Sequence, residues 1–346
     1  MARFLITGGC GFVGCNLADR LLRDDHRVVL FDNLSRPGSD RNLEWLVGNH
    51  AGKITFIKGD VRDSSYLEYA MKKKHAAVFH AAGMVPDPSS TLGGQEGFEI
   101  NARGTLNVLD AIRKTRDNSS FVLMSSVCAA DSSPDRPSSQ PTDDSLVNSS
   151  KEVVEARSLD TNSPYGRWMA AAEQYVRSYS RSFALRTVIL RLGSPYGIRQ
   201  RGDAEHEWVA RCVIAAHFGR EVIDCGDPNQ LRDMLYIDDL VEAAYLAFQR
   251  IDDVQGETFT ISGGATNAMS PLELAGELEQ ITGTNLCFSK PCRHDQLGRV
   301  ANIYRARKSL AWEPTVSASF GVRKFYNWIR SNEHLLDSTV EHKRAA

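Results

Sequence analysis

Three features of this 346-residue chain predict an α/β fold built on a doubly wound parallel sheet. Short apolar runs alternate with helical patterns through roughly the first 125 residues. The runs are apolar almost throughout, as parallel strands covered on both faces must be. The first run ends in a cluster of glycines that opens a helix, the entry to a Rossmann-type sheet with right-handed crossovers.

The expected strands of the first part are RFLIT (3–7), RVVLF (27–31), ITFIK (54–58), AAVFHAA (76–82) and FVLMSS (121–126), with helices over 12–23, 64–73 and 98–115. Residues 131–162 interrupt this rhythm: they are rich in Ser, Pro and Asp and read as a long surface loop or a partly disordered flap. A helix over 163–183 and a strand over 186–192 then resume the sheet. Beyond GSPYG, helices near 205–219, 238–250, 270–282 and 317–331 alternate with short strands such as EVIDC and TFTIS. SPLE (270–273) has the spacing of a capping box. These patterns predict a sheet domain over 1–192 plus 236–259, a smaller mixed α/β lobe over 193–235 plus 260–335, and a polar tail over 336–346.

Composition removes several classes of function. Hydrophobic residues make up 42% of the chain, enough for one large core or two smaller ones. The net charge is −2 and no long block carries one sign, so neither nucleic acid nor a membrane surface is expected as partner. No run approaches the roughly 18 apolar residues of a spanning helix. The seven cysteines include no Cys-x-x-Cys pair, and MARFLITGGCGFVG reads as strand and turn, not as a charged leader. Reduced thiols, a cytoplasmic location and no metal site are therefore expected.

The glycine turn carries the first chemistry. LITGGCGFVG places Gly8, Gly9, Gly11 and Gly14 between strand and helix, which satisfies both Gly-x-x-Gly-x-x-Gly and Gly-x-Gly-x-x-Gly. Glycine lets a pyrophosphate approach the backbone, and the helix then offers its unpaired N–H groups and positive end. Asp32 follows Gly14 by 18 residues, at the end of the second strand, where a carboxylate can take the adenosine ribose hydroxyls. Asp60, in GDVRD, ends the third strand and could meet the adenine. An acid at 32 favours NAD; Arg36 nearby leaves room for the 2′-phosphate of NADP.

These motifs and others resemble the extended short-chain dehydrogenases/reductases of the NAD-dependent epimerase/dehydratase family. The resemblance spans about residues 2–330 and rests also on FDNLSR (31–36), FHAAG (79–83), NARGTLNVLDA (101–111), SSV (125–127), SPYG (163–166), LRLGSPYG (190–197), RDMLYIDDL (232–240), FTISGG (259–264) and LAWEP (310–314). TGGCGFVG, FDNLSR, SPYG...AAEQY and RHDQ (293–296) are most similar to the CDP-paratose/CDP-tyvelose 2-epimerase branch. The resemblance implies a nucleotide-sugar epimerase that oxidises a sugar hydroxyl transiently with bound NAD. It implies cofactor contacts from Phe12, Val13, Asn33, Ser35, Val61, Ala81, Ala82, Gly83, Asn101 and Tyr165 as well as the residues above. It implies substrate contacts from Gln200, Arg232 and Arg299, the two arginines gripping a diphosphate. Helices 101–115 and 163–183 would pair across a homodimer.

The chain departs from the family where the chemistry should be. Tyr165 is kept as the acid/base, but Met169 stands where a lysine is usual, one helical turn on. Val127 stands at the usual Ser/Thr position, which leaves Ser125 or Ser126 to polarise the reacting oxygen. Cys128 and Ala129 occupy the places of the Asp-Glu pair of the dehydratases, which argues against elimination of water. Arg167 and Lys151 are candidate stand-ins for the lysine, and Cys128 is a candidate thiol acid/base. Three readings stay open at this point: an NAD enzyme with altered catalytic groups, a degenerate NAD- or nucleotide-sugar-binding partner, and a chain altered to trap a complex.

Overall fold

The computed structural model describes residues 1–85, 93–115, 119–130, 163–202, 207–219, 222–223, 227–288 and 300–336. Contacts divide the chain into two units, one of residues 1–192, 241–261 and 303–312, the other of 193–240, 262–302 and 313–346. Against the sequence expectation, the return to the first unit starts a few residues later, and residues 303–312 join it as well.

The first unit is a seven-stranded parallel sheet. Its strands are β1 (Arg3–Thr7), β2 (Arg27–Asp32), β3 (Ile54–Lys58), β4 (Ala77–His80), β5 (Ser120–Ser126), β6 (Thr187–Leu192) and a last strand Thr258–Ile261. The order is β3-β2-β1-β4-β5-β6 and then Thr258–Ile261. The chain thus winds outward in both directions from β1, which pairs Thr7 with Phe31 of β2 on one side and His80 of β4 on the other. Such a reversal leaves a crevice at the carboxyl ends of the strands, and every expected cofactor residue but Asn101 and Tyr165 lies in a segment leaving those ends.

The helices of this unit include α1 (Phe12–Arg23), α2 (Ser39–Asn49), α3 (Ser64–Ala70), α4 (Gly93–Phe98), α5 (Gly104–Thr115) and α6 (Pro164–Phe183), together with most of Ile237–Gln249 and the short Ile251–Val254. The core between sheet and helices includes Leu5, Phe31, Val78, Leu109, Ile112, Phe121, Leu123, Ala172, Val176 and Ile189. The expected helix 98–115 is helical throughout and begins earlier, at Gly93; a π-turn over Glu99–Arg103 lies within it, between α4 and α5. Helix α2 was not expected. Its only buried residues are Ser39 and Leu46, so it has almost no apolar stripe to read. Helix α6 starts on Ser163, whose hydroxyl accepts the N–H of Gly166, with Pro164 in its first turn.

The second unit holds helices Trp208–His217, Pro271–Thr282 and Ala318–Ser331. Two-residue strands pair Pro195–Tyr196 with Leu235–Tyr236, Arg232–Asp233 with Ala268–Met269, and Val222–Ile223 with Cys287–Phe288. The capping box is present at Ser270 and Glu273. Asp233 ties this unit together by accepting N–H bonds from Gly263, Gly264 and Ala301, and burial pushes its carboxyl up to about 6. The segment 131–162 and the tail beyond 336 lie outside the described residues. No described helix is long and apolar enough to cross a membrane.

Candidate active site

The glycine turn is built by close approach. Gly8 has φ +67°, and a Cβ there would come within 2.6 Å of the Ala82 nitrogen. A Cβ on Gly14 would sit 2.1 Å from the Gly8 carbonyl oxygen. Helix α1 begins at Phe12 with Gly11 as its N-cap and no side-chain cap. The first N–H groups of α1, on Phe12, Val13 and Gly14, therefore face the turn without a side-chain acceptor, as an anion site requires.

Asp32 closes the turn from β2. It accepts the N–H of Cys10 at 2.9 Å and that of Leu34 at 2.8 Å. Burial pushes its carboxyl up, and the N–H groups of Cys10, Leu34 and Gly11 pull against that. Asn33 donates to Asp60 at 2.9 Å and accepts the N–H of Ser35. Arg62 grips both Asp60 oxygens, at 2.9 and 2.8 Å, and holds that carboxyl down at about 2. The Asp60 carboxylate, expected at the adenine, is taken up by Arg62 and Asn33, and nothing in the spacing of GDVRD marks Arg62 as its partner. Ser35 and Arg36 are exposed on the turn beyond.

A second wall comes from β4. Ala81, Ala82 and Gly83 follow His80, and the Ala81 N–H still bonds the Thr7 carbonyl. Asn101 projects from the π-turn and holds the next residue by both backbone groups: its Oδ1 accepts the Met84 N–H at 2.9 Å, and its amide donates to the Met84 carbonyl at 2.7 Å. Val61 is buried beneath, against Gly104.

At the end of β5 the two serines part ways. The pleat turns Ser125 toward α6 with Phe121 and Leu123. Its hydroxyl donates to Glu173 at 2.7 Å. Glu173 also receives Arg191 through both oxygens, at 2.9 and 2.7 Å, and all three side chains are buried. With its one proton committed to Glu173, Ser125 has none to offer a reacting oxygen. Ser126 stands beside the Tyr165 hydroxyl and accepts the Cys128 N–H at 3.2 Å. Tyr165 packs on Ala129, Met169 and Ala170, so the side chain at the family's lysine position contributes only apolar contact. Burial, then the neighbouring Cys128 thiol, push the phenol above its ordinary range, against the pull of Ser126. Arg167 is exposed, and Lys151 lies outside the described residues.

In the second unit, Arg232 is buried with its guanidinium 5.1 Å from the Trp208 ring centroid. Gln200 is buried and donates to the Pro195 carbonyl at 3.3 Å, while its Oε1 has no hydrogen-bond partner among the described residues. Arg299 lies outside the described residues.

A nucleotide-binding Rossmann unit with a tyrosine–serine pair at the end of its fifth strand defines a short-chain dehydrogenase/reductase-like protein. The model of the NAD-dependent epimerase/dehydratase family matches residues 4–262, and the chain belongs to that family. It is 34% identical over 338 residues to a CDP-paratose 2-epimerase of Salmonella typhi, covering 95% of this chain and 99% of that protein. A UDP-glucose 4-epimerase of Thermotoga maritima, solved with UDP-glucose, superposes with a TM-score of 0.80 at 26% identity, covering 96% of this chain and 99% of that one. A UDP-glucuronic acid 4-epimerase of Bacillus cereus, solved with UDP-glucuronic acid and NAD, does so with a TM-score of 0.79 at 25% identity, covering 95% and 99%.

The cofactor of this family is NAD, and the residues present fit it. The uncapped start of α1 faces a turn in which Cβ atoms at Gly8 and Gly14 would collide with backbone, and Asp32 supplies a carboxylate at the end of β2. Gly14→Ala is accordingly expected to weaken NAD binding by about 10- to 100-fold, or about 1.4–2.8 kcal/mol. Titration of NAD followed by calorimetry checks this; an unchanged affinity would remove the turn from the cofactor site.

Proposed function

We propose that the protein epimerises a carbon of a nucleotide sugar by transient oxidation and re-reduction of a hydroxyl. The observation that carries this reading is the placement of Tyr165 beside Ser126 at the end of β5, in the same unit as the glycine turn. NAD supplies the hydride acceptor and donor when bound. Tyr165 takes the hydroxyl proton at its Oη and returns it. Ser126 favours the ionised form of Tyr165 by turning its one proton toward the phenol oxygen. Met169, Ala129 and Ala170 keep water from the ring of Tyr165.

Epimerisation is favoured over dehydration because Cys128 and Ala129 replace the acid pair that elimination of water would use. The similarity to a CDP-paratose 2-epimerase supports the same choice and points to CDP-sugars first. The test is incubation with CDP-, UDP-, GDP- and dTDP-sugars carrying deuterium at the candidate carbon. The expected product has the same mass and an inverted centre by NMR. Loss of water in the mass spectrum would make the protein a dehydratase instead, and silence across the panel would overturn the reading.

A further inference from the structure

Beneath the cofactor walls runs a chain of buried hydrogen bonds that no expectation anticipated. Thr7, the last residue of β1, approaches His80 Nδ1 with its hydroxyl at 2.6 Å. His80 Nε2 lies 3.0 Å from the Thr105 hydroxyl. The Thr105 hydroxyl donates to the Asn101 carbonyl at 2.6 Å, and the Asn101 side chain holds both backbone groups of Met84. Thr7, His80 and Thr105 are each at most 1% exposed.

The protons in this chain have one arrangement. A carbonyl cannot donate, so the single Thr105 proton goes to Asn101. Thr105 must then accept at its oxygen, which places a hydrogen on His80 Nε2. His80 is neutral, since burial lowers its pKa to about 4. Nδ1 is therefore bare and accepts the Thr7 hydroxyl proton.

The chain closes on itself. His80 and Met84 are the two ends of the arc that contains Ala81, Ala82 and Gly83, and the relay fixes both ends. It fixes His80 to β1 one residue before Gly8, and it fixes Met84 to the π-turn. That turn, whose Gly104 N–H reaches back to the Glu99 carbonyl, is the local distortion that presents Asn101 and Thr105 together.

We propose that Thr7, His80 and Thr105 are positioning residues for the cofactor, clamping both ends of the Ala81–Gly83 arc through one fixed order of protons. This rests on the reading that the arc lines the NAD site. None of the three touches the ligand; their effect on affinity comes through the placement of backbone.

Thr105→Val and Thr105→Ser separate this from ordinary core packing. Valine keeps the shape and loses the hydroxyl, whereas serine keeps the hydroxyl and loses a methyl. NAD affinity is expected to fall about tenfold or more in Thr105→Val, to stay within about twofold of the parent in Thr105→Ser, and not to follow the melting temperatures of the unliganded proteins. Affinity that tracks melting temperature instead would overturn the proposal. Nitrogen NMR of labelled histidine should find His80 protonated at Nε2 and not titrating between pH 5 and 8; an Nδ1–H tautomer or a titration in that range would also overturn it. Hydrogen exchange of the Ala81–Met84 amides, expected to quicken in Thr105→Val without any ligand, reads the clamp separately. Failure of the parent protein to bind NAD would sink the cofactor reading and the positioning role with it; slow exchange in Thr105→Val would sink the clamp alone.

Discussion

Tyr165→Phe is expected to lower turnover by about two to four orders of magnitude, the range spanned by positioned acid–base groups, while leaving NAD bound. The change removes one oxygen and keeps the ring that packs on Ala129, Met169 and Ala170, so the site keeps its shape. An unperturbed phenol titrates near 10, so at pH 7 only about one in a thousand is ionised, a cost of about 4 kcal/mol. In this protein burial raises that cost, and Met169 brings no charge to reduce it. A base with a raised pKa is depleted at neutral pH and gained as pH rises. The parent kcat/KM should therefore climb through the neutral range and level off only at alkaline pH, and Tyr165→Phe should flatten the profile. Unchanged turnover in the phenylalanine variant would take Tyr165 out of the mechanism. A parent profile that levels off near neutrality would mean that a charge outside these residues reaches the phenol.

The largest stability effect is expected at Arg191. Arg191→Met leaves Glu173 buried and charged with one of its main partners gone, which costs about 3–5 kcal/mol in comparable pairs. Glu173 would keep Ser125 and the more distant Arg177, at 3.4 Å, too few to replace two charge-assisted bonds. The double variant Glu173→Leu with Arg191→Met removes both charges from an interior position and should recover more than half of the loss. Urea titration followed by circular dichroism measures both. A double variant no better than the single one would mean that the ion pair itself, and not the stranding of one partner, holds β5, β6 and α6 together.

Much of the fold was legible because its signals are local. β1, β2 and β4 are apolar almost throughout, glycines mark the turn after β1, and Ser163-Pro164 announces α6. Helix α2 escaped because it buries too little to show a stripe. The π-turn escaped because an inserted residue leaves apolar spacing nearly intact, so 98–115 reads as one helix. Asp32 and the glycines were legible by spacing. The division of labour between Ser125 and Ser126 could have been drawn from the two-residue period of β5, which puts Ser125 on the face of Phe121 and Leu123. Glu173 with Arg191, and Thr7 with His80 and Thr105, leave no such trace. Their partners are 18, 73 and 25 residues apart, and only the stacking of layers brings them together.

The order of the sheet also bears on how the protein is made. β6 ends at Leu192, and its outer neighbour begins at Thr258, so 65 residues separate the strand from the partner that covers its edge. At about 5–20 residues per second, a ribosome needs about 3–13 s to deliver them. Through that interval the nascent sheet carries an open row of backbone donors and acceptors, the kind of edge to which another unfinished chain can add. Synthesis speed through residues 193–257, and not only the stability of the finished sheet, therefore bears on how much of the protein reaches its native form.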